Sequence, residues 1–150
     1  MTEHRPRTVN VLLVEDDPGD ILMTREAFEE YLHNRLDVVT DGAAALDYLR
    51  HEEPYADAPL PDLILLDLNL PRRDGREVLQ EIKADPKLRR IPIVVLTTSK
   101  AEEDILRTYD LGVNSFITKP VTFEALVETV RTLAKYWLQI VELPPQKPGG

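Results

Sequence analysis

Short, continuous apolar runs alternate along the chain with longer segments in which hydrophobic residues recur every three or four positions. The runs predict β-strands, because a strand that is buried on both faces of a parallel sheet lacks the polar alternation of a half-exposed strand. The periodic segments predict amphipathic helices that cover the sheet. The predicted strands span residues 9–14, 36–40, 63–66, 91–96 and 113–118.

Each predicted strand is followed by a predicted helix with a recognisable start. Asp41 can cap the second helix before a run of alanines, although the Asp-Gly pair at this point would also suit a hairpin turn. Ser99 and Glu102 form a capping-box pattern for the fourth helix, which we expect to end at Gly112. The other helices are predicted to begin with Pro18, with Gly75 and after the capping residue Thr122.

Five strand–helix units in succession indicate an α/β fold with a doubly wound, flavodoxin-like parallel sheet. Right-handed crossovers restrict the topologies, and 2-1-3-4-5 is the natural strand order for five units. We divide the chain into an N-terminal arm (1–8), one domain (9–137) and a C-terminal extension and tail (138–150). The side chains of the first helix expected in the core are Ile21, Leu22, Phe28, Tyr31 and Leu32.

The charge of the chain restricts its partners. With 27 acidic and 18 basic residues, the formal net charge is -9, which argues against nucleic acid or an anionic membrane surface as a partner. The chain has no cysteine and hence no disulfide or thiol nucleophile. The N-terminus lacks the apolar segment of a signal peptide, and no apolar run approaches the roughly 18 residues of a membrane span. We therefore expect a cytoplasmic protein.

Polar side chains stand at the carboxyl ends of four predicted strands. Glu15 and Asp16 follow the first strand, Asp67 the third, Thr97 the fourth and Lys119 the fifth. The carboxyl ends of parallel strands meet at one edge of the sheet, where open α/β proteins bind their ligands. Each residue alone has an ordinary structural explanation, such as a strand or helix cap or a solvated lysine. Their occurrence together at successive strand ends predicts a common site.

Three carboxylates at one site require a cation, since like charges about 5 Å apart repel by roughly 3 kcal/mol at an effective dielectric of about 20. The two candidate cations are the ammonium group of Lys119 and a hard metal ion. Carboxylate and carbonyl oxygens suit magnesium, with manganese or calcium as substitutes. The predicted metal ligands are Glu15, Asp16, Asp67 and the backbone carbonyl of Asn69.

A carboxylate can act as a nucleophile toward phosphorus and form an aspartyl phosphate. We therefore predict that Asp67 is the nucleophile, with Thr97 and Lys119 donating hydrogen bonds to the transferred phosphoryl group. The alternative, when the third strand is considered by itself, is that Asp67 only caps that strand or the turn after it.

Four sequence motifs, VEDDP, DLNLPRRDG, VVLTTS and FITKP, resemble those of the receiver domains of bacterial two-component response regulators. The resemblance covers roughly residues 9–135. It implies that phosphorylation draws a threonine side chain inward and that an aromatic side chain then turns inward behind it. These movements are implied to remodel the face formed by the fourth helix, fifth strand and fifth helix. By this resemblance the acidic pair is Glu15 and Asp16, the phosphoacceptor Asp67, the hydroxyl residue Thr97, the lysine Lys119 and the switch aromatic Phe116.

Three features bear on how such a receiver would behave. Phe116 lacks a hydroxyl group, which excludes a phenolic hydrogen bond in the phosphorylated state. Thr98 stands where many receivers have a smaller residue, so we expect slower access of water or a phosphatase to the phosphoryl group. The resemblance also implies a cis peptide bond between Lys119 and Pro120.

The loop at 51–61, the segment DLNLPRRDGREVLQEIKADP and the tail segment YWLQIVELP resemble one subgroup, the single-domain regulators of bacterial and cyanobacterial phytochromes. This resemblance implies that the phosphodonor is a phytochrome histidine kinase. No DNA-binding or catalytic segment is recognisable after residue 143. We therefore expect a receiver that is not an enzyme, that promotes only its own phosphoryl transfer and hydrolysis, and whose output is protein binding or return of the phosphoryl group.

The apolar stripe of the last helix continues beyond the region that a five-stranded sheet should cover. An extension of this kind often marks a partner surface, so we predict a homodimer through this helix, its extension and the fifth strand. The alternative is that the extension folds back onto the core of its own domain. The candidate dimer residues are Trp137, Leu138, Ile140 and Val141.

Three other functions share part of this chemistry. A phosphatase of the haloacid dehalogenase type also has an aspartate nucleophile, but it needs a second aspartate two residues later, where this chain has Asn69. A flavodoxin-like cofactor binder needs a phosphate-binding loop after the first strand, where Glu15, Asp16 and Asp17 would repel a phosphate. A pseudo-receiver would act only as a dimeric scaffold, although all the phosphorylation residues are present.

Overall fold

The computed structural model of the protein describes residues 8–31, 34–70, 74–108, 113, 115–119 and 121–137. Strands and helices alternate along these residues, as the sequence pattern predicts. The strands are β1 (Val9–Val14), β2 (Asn34–Val39), β3 (Leu63–Asp67), β4 (Ile93–Thr97) and β5 (Ser115–Thr118). The helices are α1 (Pro18–Tyr31), α2 (Gly42–Leu49), α3 (Gly75–Ala84), α4 (Lys100–Thr108) and α5 (Phe123–Trp137).

β3 is the central strand of the sheet, whose order is β2-β1-β3-β4-β5 and whose neighbouring strands all pair in parallel. The predicted fold class and strand order are therefore confirmed. The register aligns Val14 with Leu66 and Asp67 with Leu96, so neighbouring strands end at nearly the same level. As a result, the residues at the carboxyl ends of β1, β3, β4 and β5 meet at one edge of the sheet.

Successive residues of the central strands point to opposite faces of the sheet and enter two separate cores. All five residues of β3 and all five of β4 are buried. Ile64 and Leu66 share a core with buried side chains of α2 and α3, whereas Leu63 and Leu65 share the other core with buried side chains of α1 and α5. Burial on both faces explains the continuous apolar runs, and it fixes the position of the strand ends.

The predicted core face of α1 is partly wrong. Phe28 is buried and Ile21 packs against the same core, but Leu22 is 59% exposed. Because successive helical residues are about 100° apart, Leu22 lies to one side of the line through Ile21, Thr24 and Phe28. The buried Thr24 occupies that line instead and donates its hydroxyl hydrogen to the Asp20 carbonyl at 2.7 Å. The two other core residues predicted for α1 cannot be compared, because the side chain of Tyr31 and all of Leu32 lie outside the described residues.

Local capping decides two of the helix starts. The Asp41 carboxylate accepts a hydrogen bond from the Ala44 N–H at 2.8 Å, so the segment after Asp41 is a helix and not a hairpin. The Thr122 hydroxyl likewise accepts from the Ala125 N–H at 3.1 Å at the start of α5. Among the described residues, no helix is both long and apolar enough to cross a membrane.

Some boundaries differ from the predicted ones. β4 begins two residues later than predicted, because Pro92 has no N–H to donate to a neighbouring strand. The Pro92 carbonyl nevertheless accepts from the Ile64 N–H at 2.9 Å. β2 begins earlier than predicted, at Asn34, which pairs with Val9. The predicted end of the fourth helix at Gly112 lies outside the described residues.

Gly75, the first residue of α3, allows that helix to approach the end of β3 very closely. Its N–H donates to the Leu68 carbonyl at 3.1 Å. A Cβ atom at this position would lie 2.5 Å from the Asp67 carbonyl oxygen and 2.5 Å from the Leu68 Cα. Both are backbone atoms that cannot rotate away, so any side chain would displace either the helix or the strand end.

Gly75→Ala is therefore expected to lower the free energy of unfolding by about 2 kcal/mol, the usual scale of overpacking in a closed site. Chemical denaturation followed by circular dichroism measures this change. Gly19→Ala is the matched control, because a Cβ there meets only the Asp17 carboxylate at 3.3 Å. Since alanine favours a helix over glycine by about 1 kcal/mol, that variant should be as stable as the wild type or more so. Equal destabilisation by the two changes would contradict this role of Gly75.

Candidate functional site

Four strand ends bring their polar side chains together at the carboxyl edge of the sheet. Glu15 follows β1, Asp67 ends β3, Thr97 ends β4 and Lys119 follows β5. The Lys119 Nζ lies 2.8 Å from the Asp67 Oδ2 and 3.1 Å from the Glu15 Oε1. The convergence expected from the order of the strands is therefore present for these three charged groups.

Backbone hydrogen bonds hold the residues of this edge in position. The Glu15 N–H donates to the Val39 carbonyl at 3.0 Å, which continues the β1–β2 pairing beyond the strand end. The Lys119 N–H donates to the Thr97 carbonyl at 2.7 Å. The side chains of Glu15 and Lys119 thus start from backbone that is fixed by the sheet and not from a free loop.

Glu15, Asp16 and Asp67 each offer a carboxylate oxygen, and these three oxygens lie within 4.8 Å of one another. Glu15 and Asp67 are buried, whereas Asp16 is exposed. Burial, followed by the hydrogen bond and the negative charge of Asp67, raises the pKa of Glu15 to about 7. Burial lowers the pKa of Lys119, but its contacts with Asp67 and Glu15 outweigh that effect and raise the pKa above the usual value for lysine. Lys119 therefore stays charged as the counterion of the cluster.

The two carboxylate oxygens of Glu15 differ in their hydrogen bonds. Its Oε2 accepts from the N–H groups of Asp16 at 3.0 Å and Asp17 at 3.1 Å, and from the Lys119 ammonium group at 3.3 Å. Its Oε1 is buried and accepts no well-directed hydrogen bond from the residues that the structure describes, although the Lys119 Nζ is near. A buried carboxylate oxygen without a donor is costly unless a cation approaches it.

This arrangement fits a divalent metal ion. The donor set consists of carboxylate oxygens alone, which are the ligands of hard divalent cations, and Glu15, which carries the unsatisfied Oε1, belongs to it. Asn69 lies beside this cluster, because its N–H donates to the Asp67 Oδ1 at 2.9 Å. The role predicted for the Asn69 carbonyl stays a prediction.

Asp20 also lies close to the site, and the strand ends alone did not point to it. It stands in the first turn of α1, where its Oδ2 is 3.6 Å from the Lys119 Nζ. Burial is the largest cause that raises its pKa, the nearby charges of Asp17 and Asp67 add to it, and Lys119 opposes it. The signal in the sequence was an acidic residue in the first turn of the helix that follows the acidic end of β1.

Thr97 lies at the predicted edge, but its hydroxyl points to another partner. The side chain is fully buried. The Thr97 hydroxyl donates to the Glu102 Oε1 at 2.5 Å and is 3.2 Å from the Ser99 carbonyl oxygen. Glu102 was predicted only as part of a capping box, and half of that box forms, through the hydrogen bond from the Glu102 N–H to the Ser99 hydroxyl at 3.1 Å. The Glu102 carboxylate is bound to Thr97 instead.

The remaining predicted residues are described only in part. Phe116 is half-buried and packs against the core on the α2–α3 side of the sheet. Thr98 is exposed. Trp137 ends α5, and its side chain lies outside the described residues. The residues that are not described at all are Pro120, Leu138, Ile140 and Val141.

The protein is similar in sequence and structure to known response regulators. The family model for the response regulator receiver domain matches residues 11–131. The response regulator Rcp1 of Synechocystis sp. is 44% identical over 135 residues, which cover 89% of this chain and 92% of Rcp1.

Two solved structures are similar over most of both chains. The phosphorylated cyanobacterial phytochrome response regulator RcpA superposes with a TM-score of 0.76 at 48% identity, covering 89% of this chain and 96% of that chain. The Mn(2+)-bound form of response regulator Rcp1 superposes with a TM-score of 0.75 at 43% identity, covering 87% of this chain and 95% of that chain.

Lys119→Met removes the ammonium group that contacts both Asp67 and Glu15. We expect the free energy of unfolding of the metal-free protein to fall by about 3 kcal/mol, because loss of one partner leaves buried charge uncompensated. Urea unfolding in the presence of a chelator measures this change, and addition of a divalent metal ion should recover part of the loss.

Lys100→Met is the matched control for this prediction. Lys100 is 74% exposed, and its ammonium group forms ion pairs with the buried Glu103 and the exposed Asp104 of α4. Because the Lys100 ammonium group is surrounded by water, these pairs should contribute about 1 kcal/mol or less, so this variant should lose little stability. Similar losses in the two variants would show that Lys119 does not act as the counterion of the buried carboxylates.

Proposed function

Since the chain belongs to the family of response regulator receiver domains, we propose that it accepts a phosphoryl group from a histidine kinase on Asp67. The observation that carries this proposal is the 2.8 Å contact between Asp67 and Lys119 within a cluster of two further carboxylates. A carboxylate at the end of the central strand is thereby held beside a fixed positive charge. This is the arrangement that an anionic phosphoryl group requires.

The proposed reaction is a direct transfer between two side chains. An Asp67 oxygen attacks the phosphorus of a phosphohistidine, a new O–P bond forms, and the P–N bond to the histidine breaks with the electron pair staying on nitrogen. The Asn69 N–H and the Lys119 ammonium group bind opposite oxygens of the Asp67 carboxylate and orient it. Lys119 then donates to a phosphoryl oxygen, and the Thr97 hydroxyl donates to another.

We infer that the acidic cluster holds magnesium, with manganese or calcium as substitutes. Glu15, Asp16 and Asp67 supply carboxylate oxygens, and the Asn69 carbonyl would supply a further oxygen. When bound, the ion would neutralise negative charge on the transferring phosphoryl group. Rcp1, a relative whose solved structure has Mn(2+) bound, supports a divalent cation in this family.

The proposed switch joins the site to the face formed by α4, β5 and α5. Thr97 ends β4, and Phe116 lies in the neighbouring strand β5, opposite Val95 in the register. Movement of the Thr97 hydroxyl toward the phosphoryl group would leave space into which the half-buried Phe116 ring can turn. The surface above these strands would then present a different shape to partner proteins.

The proposed phosphodonor is a phytochrome histidine kinase. RcpA, which is 48% identical, is described as a phytochrome response regulator, and Rcp1 is similar over almost its full length. We further propose that the protein acts in the cytoplasm as a phosphorelay protein and not as an enzyme on a separate substrate. Neither nucleic acid nor a membrane is part of this proposal, which agrees with the net charge of -9.

The rival functions are not favoured. A haloacid dehalogenase-type phosphatase needs an acid where this chain has Asn69, whose amide cannot donate a proton to a leaving group. A scaffold without phosphorylation chemistry would not need a lysine held between the buried carboxylates of Asp67 and Glu15.

A homodimer through α5 and the residues that follow it is the proposed assembly. Sedimentation velocity at tens of micromolar should give a dimer, and Val141→Asp should convert it to a monomer by placing a charge in an apolar contact. Leu60→Asp, at an exposed position in the loop before β3, is the control and should leave the dimer intact. A monomeric wild type, both with and without phosphorylation, would overturn this assembly.

Acetyl phosphate with magnesium should add one phosphoryl group to the protein, as measured by intact mass. Asp67→Asn should abolish the labelling, because an amide is not a competent nucleophile toward phosphorus. The new group adds about 1.5 to 2 negative charges beside Glu15 and Asp16, so labelling should also require a divalent metal ion.

Asp62→Asn is the control for this labelling. Asp62 precedes the same strand at its opposite end, where its carboxylate accepts from the Asn10 N–H at 2.8 Å. This variant should be labelled like the wild type. Equal labelling of Asp67→Asn, or equal labelling of the wild type in excess chelator, would refute the assigned chemistry.

A further inference from the structure

The Thr97 hydroxyl is already bound to a partner that receiver chemistry does not require. It donates to the Glu102 Oε1 at 2.5 Å, and the Thr98 N–H is 3.3 Å from the same oxygen. The Thr97 side chain is fully buried and the Glu102 side chain is 10% exposed, so water competes poorly for this contact. A short hydrogen bond from a hydroxyl to a carboxylate is a strong one.

The other oxygen of Glu102 is held by a residue of a different helix. The Glu102 Oε2 pairs with the Arg76 guanidinium group, which extends from the first turn of α3. The same guanidinium group contacts both carboxylate oxygens of Asp74, the cap of α3, at 2.9 and 3.1 Å. Glu102 is thus fixed from two sides, and the Arg76–Glu102 pair connects the start of α3 with the start of α4.

A capping role does not account for Glu102. In a complete capping box its carboxylate would accept from the Ser99 N–H. Here the Ser99 N–H is directed to the Thr97 Oγ1 at 3.3 Å, and the Glu102 carboxylate is directed to the Thr97 hydroxyl. The neighbouring acid Asp104, by contrast, is 62% exposed and pairs with Lys100 on the surface of α4.

A hydroxyl group has one hydrogen to donate. While Thr97 donates to Glu102, it cannot donate to a phosphoryl oxygen on Asp67, so the two acceptors exclude each other. From this we infer that Glu102, anchored by Arg76, is a positioning residue that withholds the Thr97 hydroxyl from the phosphoacceptor until a phosphoryl group competes for it. The inference rests on the function proposed above, and it adds a contact that slows the phosphorylation of Asp67.

Glu102→Gln tests this restraint, because it keeps the shape and the acceptor oxygen but removes the charge. A neutral acceptor binds the hydroxyl hydrogen less strongly, so the rate constant of labelling by acetyl phosphate should rise about three- to tenfold. Asp104→Asn removes one charge from the same helix at an exposed position and should leave the rate unchanged. Arg76→Gln should raise the rate in the same direction and should add little to Glu102→Gln.

A double-mutant cycle distinguishes positioning from a general effect on α4. In the Thr97→Ala background there is no hydroxyl to withhold, so Glu102→Gln should no longer change the labelling rate. In the unlabelled protein, the NMR signal of the Thr97 methyl group should shift with Glu102→Gln and not with Asp104→Asn.

Failure of the restraint and failure of the proposed function give different results. A wild type that acetyl phosphate does not label would overturn the proposed function and this inference with it. A labelled wild type together with an unchanged or slower Glu102→Gln variant would overturn this inference alone. The inference would also fail if Glu102→Gln kept its effect in the absence of the Thr97 hydroxyl.

Discussion

Buried negative charge around a single ammonium group is the constraint on which this structure depends. Asp67 and Glu15 are almost fully buried, and Lys119 lies within 3.1 Å of an oxygen of each. At about 4 Å and an effective dielectric of about 20, an attraction between unit charges amounts to roughly 4 kcal/mol, so one lysine offsets much of the repulsion. The pKa of Glu15 nevertheless stays raised to about 7, first because the carboxyl is buried and then because of the hydrogen bond and the negative charge of Asp67. The site is therefore prepared for additional positive charge.

This charge cluster is possible because the sheet beneath it is rigid. β3 is buried on both faces, and it is paired with β1 and β4 in a register that ends the three strands at nearly the same level. The first turn of α3 approaches the end of β3 closely only because residue 75 is glycine. The side chains that meet at this edge therefore have little freedom to move apart, which keeps like charges close together at the expense of stability.

A second set of contacts connects this rigid edge to its surroundings. Thr97 belongs to the edge, but its hydroxyl is bound to Glu102 of α4, which is bound in turn to Arg76 of α3. A buried hydroxyl that can donate to either of two acceptors is a two-state element. The populations of the two states are set by the difference in free energy between the two hydrogen bonds. Any phosphoryl group on Asp67 would act on that equilibrium through the single hydrogen of Thr97.

The sequence by itself determined the alternation of strands and helices, the strand order and the presence of Asp67 and Lys119 at strand ends. It did so because strands buried on both faces must be apolar, and the first polar residue after such a strand must lie at the edge of the sheet. Tertiary structure alone decided that Leu22 faces solvent and that Glu102 binds Thr97 instead of completing a cap. These outcomes depend on how helices sit against the sheet and against each other, and the pattern around Glu102 contains no information about the position of Arg76, 26 residues earlier.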